Sequence, residues 1–140
     1  MANLSPPSSL GGGTTDTDNF VAPTDLVVKQ SIVALTDSAN VTPDFGASNN
    51  FSLALTTAIG ATRNLKNPTT PTIGQSGFID LVQDSGGGES VVFDSYYVFP
   101  NSTDPTQDTT ASTTSTLVYV VKSSTEIHCQ YLPKWGRTGS

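Results

Sequence analysis

The sequence predicts an all-β fold, built as a single antiparallel β-sandwich or a small open barrel with an extended N-terminal arm. Thr and Ser account for 38 of the 140 residues, 21 Thr and 17 Ser, and Thr is a residue type that favours strands. The 12 Gly and 9 Pro stand between short apolar clusters of strand length, as turn-forming residues do. A chain of this length fits one domain with one core.

Residues 1–25 are predicted to form an arm outside the core. They contain Pro6, Pro7 and the run Gly11–Gly13 but few apolar side chains, so the segment cannot by itself offset the entropy cost of becoming ordered. Two interpretations stay open: a disordered tail, or an arm that becomes ordered on a neighbouring subunit. The β-domain is assigned to residues 26–140.

The first strand candidates lie in the first half of the chain. Leu26–Leu35 is predicted as a strand, although its spacing also suits a short helix. Residues 36–50 then read as a loop. Phe51–Leu55 alternates apolar and polar side chains with the period of two of a half-buried strand, and Arg63–Asn67 is a short polar strand candidate.

The next two candidates, Phe78–Gln83 and Val91–Phe99, are predicted to pair as a hairpin. The run Gly86–Gly88 between them is typical of a glycine-rich hairpin turn. Both faces of Val91–Phe99 are mostly apolar, which predicts a central position in the sheet.

The last strand pair follows a long connection. Residues 100–114 form this connection, and loops of such length are usually functional or held by a partner. Leu117–Val121 and Thr125–Leu132 both alternate in polarity and are predicted to pair across Ser123–Ser124. The last four apolar segments therefore predict an antiparallel meander, in a fold of six or seven strands.

The charge balance argues against two classes of partner. The formal net charge is −6 and the isoelectric point is about 4.3, so a phosphate backbone or an anionic membrane surface would repel the protein. No apolar run approaches the roughly 20 residues that cross a bilayer. Met1–Ser9 lacks the basic and apolar regions of a signal peptide, so we expect a soluble product made in the cytosol.

Neither catalytic residues nor an enzyme is predicted. His128 is the single histidine, and a triad with Ser124 and Asp94 has no support from spacing, because the nucleophile motif G-x-S-x-G does not occur. His128 is instead predicted to be a surface or interface residue. Cys129 is its strand neighbour and should therefore point to the opposite face as a buried, inert thiol.

No cofactor and no metal ion is predicted either. The run Ser85–Ser90 is rich in glycine, but it lacks the Lys and the following helix of a phosphate-binding loop. Acidic pairs in loops are ordinarily just solvated, and no calcium-loop spacing is present. These pairs are Asp16/Asp18, Asp84/Glu89 and Asp104/Asp108.

The aromatic residues of the second half have two interpretations, a carbohydrate-stacking platform or core packing, and core packing is favoured. The set comprises Tyr96, Tyr97, Phe99, Tyr119, Tyr131 and Trp135. Trp135 is the single Trp and stands between Lys134 and Arg137 in a short tail, which makes it a candidate anchor on an acidic neighbour.

Residues 63–132 resemble a β-rich module of virion proteins from tailed bacteriophages. The resemblance rests on N-L-x-N-P at Asn64–Pro68, G-Q-x-G at Gly74–Gly77, and Gln83-Asp84 before the glycine turn. It continues through the aromatic strand that ends at Pro100 and the Thr/Ser/Ala stretch that leads to Ile127. The resemblance implies a structural module that occurs in tail fibres and on capsid surfaces, and it carries no active-site residues over.

The resemblance and the short chain together lead us to expect a head decoration, or cement, protein on the capsid surface of the virion. Its expected partners are the major capsid protein and copies of itself, as a dimer or trimer, with neither nucleic acid nor membrane. The alternatives are a small tail-fibre or tail-tip component that binds a host glycan, and a small hydrolase that uses His128. The candidate partner-binding residues are Pro6, Pro7, Phe20, Tyr96 and Trp135.

Overall fold

The computed structural model describes residues 29–137, and over this range the chain is all-β, as predicted. No helix among these residues is long and apolar enough to span a membrane. A short 3-10 turn occurs at Pro100–Ser102. The strands are β1 (Ile32–Leu35), β2 (Asn40–Val41), β3 (Asn50–Leu55), β4 (Thr62–Leu65), β5 (Ser76–Gln83), β6 (Ser90–Phe93), β7 (Tyr97–Val98), β8 (Thr114–Ser123) and β9 (Glu126–Leu132).

The first six strands form a β-solenoid. In one sheet β1, β3 and β5 pair in parallel, with Ile32 beside Asn50 and Asn50 beside Phe78. In a second sheet β2, β4 and β6 also pair in parallel. Each turn of the chain, here called a rung, therefore adds one strand to each sheet, and three rungs are stacked. Parallel sheets of this kind have both sets of inward-facing side chains in one shared core.

The predicted antiparallel sandwich or barrel is therefore wrong. The predicted hairpin across Gly86–Gly88 does not form, because this run joins β5 to β6, which belong to different sheets. The expected central strand Val91–Phe99 is divided into β6 and β7, and each is the last strand of its sheet. Asp94 stands at the turn between them, where its Oδ1 accepts a hydrogen bond from Ser95 N at 2.9 Å and its carbonyl accepts one from Tyr97 N at 3.2 Å. Within the predicted meander, the pair β8–β9 is antiparallel as expected.

The C-terminal end of the solenoid is closed by the hairpin of β8 and β9. Strand β8 pairs antiparallel with β5, and β9 reaches β7, which gives the sheet order β1-β3-β5-β8-β9-β7. The long connection after Pro100 covers the other sheet. Gln107 Oε1 accepts a hydrogen bond from Val91 N at 3.0 Å, and Gln107 Nε2 donates to Val91 O at 2.7 Å. The loop thus occupies the free edge of β6 with an amide side chain.

The core lies between the two sheets and contains most of the aromatic residues, as the core-packing interpretation predicted. Phe45 stacks on Tyr119 at 4.6 Å between ring centroids and on Phe51 at 5.6 Å. A second group near the closed end consists of Phe93, Tyr97 and Phe99. The buried apolar residues are Val41, Phe45, Phe51, Leu53, Leu55, Leu65, Ile79, Leu81, Val91, Tyr97, Phe99, Leu117, Tyr119, Val121, Ile127 and Cys129.

Candidate functional site

The outer side of β5, β8 and β9 forms the candidate site, here called the outer face. Strand alternation turns every second residue of these strands away from the core. Phe78 and Val118 stand opposite each other on this face, and Asp80 stands opposite Thr116. Phe78 and Val118 are half-buried although they lie outside the core. The outer face therefore combines apolar and hydrogen-bonding side chains on a rigid sheet.

Trp135 is fixed on the outer face by two hydrogen bonds. Its indole Nε1 donates to Thr116 Oγ1 at 2.8 Å, and its main-chain N donates to Thr114 O at 2.9 Å. Thr116 Oγ1 in turn donates to Asp80 Oδ1 at 2.6 Å. Trp135 remains 59% exposed, whereas Thr116 is 8% exposed. The chain Trp135–Thr116–Asp80 thus holds the indole in one orientation while leaving much of the residue accessible.

A shallow apolar depression of about 340 Å³ lies on the same face, beside the start of the 3-10 turn. Its walls include Val118, Val120 and Pro100, with His128 and Gln130 among the polar side chains that border it. Such a combination suits the apolar side chain of a protein partner, with hydrogen bonds at the border.

The structure does not assemble the hydrolase triad. His128 is a surface residue, as predicted, and its Nε2 lies 3.2 Å from Glu126 Oε1. Asp94 instead pairs with Lys66, with Nζ 3.1 Å from Oδ2, and this hydrogen bond holds the pKa of the Asp94 carboxyl below its usual range. Cys129 is buried on the other side of β9, as predicted, and burial raises the pKa of its thiol to about 12.

Residues 29–137 contain no group of three or more His, Cys, Asp or Glu that could hold a metal ion. Asp84 already accepts hydrogen bonds from Thr57 N and Gly86 N, both at 2.8 Å, and these backbone bonds lower its pKa. Gly87 has φ +65°, and a Cβ there would lie 2.7 Å from Thr109 O, so turn geometry accounts for this glycine. The pair Asp16/Asp18 lies outside the described residues.

The two described partner-binding candidates lie apart. Tyr96 is next to the beginning of β9, where its carbonyl accepts a hydrogen bond from Ile127 N at 2.8 Å, and its side chain packs against the core. Trp135 lies beyond the other end of β9. The candidates Pro6, Pro7 and Phe20 are outside the described residues. Sequence reasoning missed Thr116 and Asp80. Asp80 stands in the outward phase of the predicted strand Phe78–Gln83, whereas Thr116 immediately precedes the predicted strand Leu117–Val121 and belongs to the longer β8 of the structure.

No protein-family model, curated protein or solved structure matches this chain. We therefore infer a function from the chain's own residues and their geometry.

Proposed function

We propose that this protein is a structural component of a tailed-phage virion, and specifically a head decoration protein that binds and stabilises the major capsid lattice. In this proposal the protein acts by binding alone, without catalysis and without a cofactor. It is made in the host cytoplasm and lies on the capsid surface of the virion. The observation that carries the proposal is Trp135, an exposed indole held on the outer face by hydrogen bonds to Thr116 and Thr114.

A fixed and exposed Trp is what protein interfaces use as an anchor. Trp is enriched among the residues that dominate binding energy, and it works best where neighbouring apolar side chains exclude water. Here Phe78 and Val118 lie on the same face. Because the hydrogen bond to Thr116 already fixes the ring, binding costs little further side-chain entropy. The outer face is therefore a surface prepared for a protein partner, either the capsid protein or a second copy.

The residues that carry the phage-module resemblance support a structural role. Asn64–Pro68 ends β4 and continues into a corner, Gly74–Gly77 leads into β5, and Gly86–Gly88 connects β5 to β6. All three groups therefore stand at or beside corners of the solenoid. The shared pattern describes how the chain turns, which fits a module whose surface, rather than its motif, determines the partner.

A small tail component that binds a host glycan is the second candidate. The exposed indole of Trp135 lies beside the polar side chains of Thr116 and Asp80, and carbohydrate sites commonly combine an aromatic surface with hydrogen-bonding groups. The same face serves both candidates, so the number of copies in a particle distinguishes them.

The test is quantitative mass spectrometry of purified virions, combined with rebinding of the purified protein to particles that lack it. Hundreds of copies per particle support the decoration protein, and a dozen or fewer support the tail component. If the protein is absent from purified virions, the proposed virion role is wrong. We expect Trp135→Ala to weaken rebinding by at least about tenfold, as loss of an anchor residue does. Val92→Ala is the matched control, since Val92 is 50% exposed but belongs to the second sheet. Equal rebinding by both variants would show that the outer face is not the binding surface.

A further inference from the structure

The outer face carries both an exposed anchor and an apolar depression large enough for one. Trp135 is 59% exposed and stands beside Thr116 of β8. The depression of about 340 Å³ lies further along the same strand, where Val118 and Val120 form part of its wall. Its volume is at the lower end of the roughly 300–1,000 Å³ that ligand pockets span, which suits a single aromatic side chain. The anchor and a place to receive it thus occur on one surface of one chain.

Trp135 is held away from the depression of its own chain. The indole Nε1 donates to Thr116 Oγ1 at 2.8 Å, and Val120 stands four residues further along β8. At about 3.4 Å per strand residue, the far wall of the depression is about 14 Å from Thr116. An indole that fills the depression must therefore come from another molecule.

A two-fold axis brings the anchor of each copy to the depression of the other. When the axis crosses the strands at Val118, between two outer faces, the second copy's β8 runs in the opposite direction. Position 116 of one copy then lies over position 120 of the other, so the indole beside Thr116 faces the depression at Val120. The same contact forms twice, because a two-fold interface uses one surface of both copies. Val118 of the two copies meets at the axis, with Phe78 beside it.

The charges of β5 and β8 match this arrangement. Each copy has a net charge of −6, so two copies repel each other unless their contact surface carries few or complementary charges. The central pair Phe78 and Val118 is uncharged. Asp80 lies at the Trp135 end of the face, and the exposed Lys122 lies at the depression end. Lys122 forms no ion pair within residues 29–137. The reversed direction of β8 places it over the end of the other copy that carries Asp80.

The charges of β9 match in the same way. Glu126 begins this strand, and Lys134 follows its end at Leu132. The side chains of Glu126 and Lys134 are 53% and 49% exposed, although each has a neighbour of opposite charge type, His128 at 3.2 Å and Asp108 at 4.0 Å. The two-fold axis brings the beginning of β9 in one copy to its end in the other. Opposite charges therefore meet there too.

We propose that the protein pairs with a second copy of itself through the outer face, with Trp135 of each copy seated in the depression of the other, an inference that rests on the proposed function in taking the outer face as the binding surface. The partner on this face is then a second copy, and the capsid contacts the pair through other surfaces. Loss of Trp135 weakens attachment to particles because separated copies no longer attach at two points.

The first test uses the full chain, whose single Trp reports its own burial. From about 0.1 μM to about 100 μM, we expect the Trp emission to shift to shorter wavelength, acrylamide quenching to weaken, and sedimentation equilibrium to show a dimer. Trp135→Ala should raise the dissociation constant of the dimer at least about tenfold. Val92→Ala is the matched control and should leave it unchanged, since Val92 is exposed on the second sheet.

The second test mixes two variants to detect the exchange of Trp135 between copies. Val120→Asp places a charge in the depression but keeps the indole, whereas Trp135→Ala keeps the depression but lacks the indole. Each variant alone should be monomeric where the unmodified protein is a dimer. Adding Trp135→Ala protein to Val120→Asp protein should shift the emission of the single Trp in the sample to shorter wavelength, because one of the two contacts can form. The double variant offers neither indole nor depression, so adding it should cause no shift. Circular dichroism checks that each variant is folded.

Two results would overturn the proposal. If the unmodified chain sediments as a monomer throughout this range, a second copy does not bind the outer face. If Trp135→Ala protein changes the Val120→Asp emission no more than the double variant does, the copies do not exchange Trp135. A monomer that still rebinds to particles through Trp135 would overturn the pairing and leave the virion role in place. A dimer that is absent from purified virions would support the pairing and contradict the virion role.

Discussion

The guanidinium of Arg63 and the carboxylate of Asp37 form two parallel hydrogen bonds, Nε to Oδ1 at 2.8 Å and Nη2 to Oδ2 at 2.5 Å. The Arg63 side chain is 0% exposed and that of Asp37 is 10% exposed. Arg63 also donates to the carbonyls of Thr56 and Gly60, and Asp37 accepts from the N–H and hydroxyl of Thr56. The pair therefore fixes the corner after β1 against the corner after β3, one rung on.

Removing one partner of this pair should destabilise the protein strongly. Asp37→Ala leaves the buried Arg63 charge without its carboxylate, and broken buried pairs typically cost about 3–5 kcal/mol in the free energy of unfolding. Replacing both residues, as Asp37→Leu with Arg63→Met, should cost less than Asp37→Ala alone. Lys66→Ala is the matched control, because the Lys66–Asp94 pair is partly open to solvent and should contribute much less to the free energy of unfolding. Urea unfolding of the four proteins measures these differences, and equal losses for Asp37→Ala and Lys66→Ala would contradict this account.

Acid should weaken the same corner. Burial alone would raise the pKa of Asp37, but the hydrogen bonds from Arg63 and Thr56, together with the Arg63 charge, hold it below its ordinary value of 3.8. The unfolded chain therefore binds a proton more readily than the folded chain, and the stabilisation is fully present only above the unfolded pKa. We expect the stability to fall as the pH drops below about 4 and on through the folded pKa. Denaturant unfolding at pH 7, 5 and 3 should show the gap between the unmodified protein and Asp37→Asn narrowing at pH 3, and a constant gap would show that Asp37 is not responsible.

The positions of several strands could be predicted from the sequence, but their neighbours could not. Alternation located Phe51–Leu55, Phe78–Gln83 and Thr125–Leu132 to within about two residues, because burial of one face leaves a period of two. Alternation does not say which strand lies alongside, or in which direction. The rungs also give no fixed period, because the step between register partners is much shorter from Ile32 to Asn50 than from Asn50 to Phe78. A solenoid with unequal turns therefore leaves no repeat in the sequence.

Of the candidate site, only Trp135 could be predicted from the sequence. Trp135 could be identified because a single Trp in a polar tail is unusual. The residues that hold the Trp135 indole in place could not be identified from the sequence. Thr116 and Asp80 are 36 positions apart and meet only through the pairing of β8 with β5. The high Thr content was interpreted from the sequence only as a sign of strands. Thr56 and Thr57 stand at corners, where they hydrogen-bond Asp37 and Asp84 across rungs, and so contribute outside the strands as well.

Glu89 should be a position where a substitution stabilises the protein. The residue is 2% exposed, and its Oε1 is buried without a hydrogen-bond partner in the part of the chain that the structure describes. Leaving a buried polar atom unsatisfied costs about 1–3 kcal/mol. Glu89→Met keeps a side chain of similar length and removes that cost, so we expect a higher free energy of unfolding. Urea unfolding measures the change, with Glu126→Met as the exposed control, and a loss of stability in Glu89→Met would show that the carboxylate has a partner in solution.

Gly77 should tolerate no side chain, because the backbone of the preceding rung lies against it. A Cβ built on Gly77 would stand 1.9 Å from Asn49 O and 2.7 Å from Asn49 C, far inside van der Waals contact with backbone atoms that cannot rotate away. The same carbonyl of Asn49 accepts a hydrogen bond from Tyr119 Oη at 2.6 Å, so moving it would disturb β8 as well. We therefore expect Gly77→Ala to cost more than about 3 kcal/mol, above the usual range for overpacking, or to prevent folding. Gly136→Ala is the matched control, since nothing lies within 4 Å of its added Cβ. Thermal unfolding and the yield of soluble protein measure both variants, and a Gly77→Ala protein as stable as Gly136→Ala would mean that β3 and β5 are not in this register.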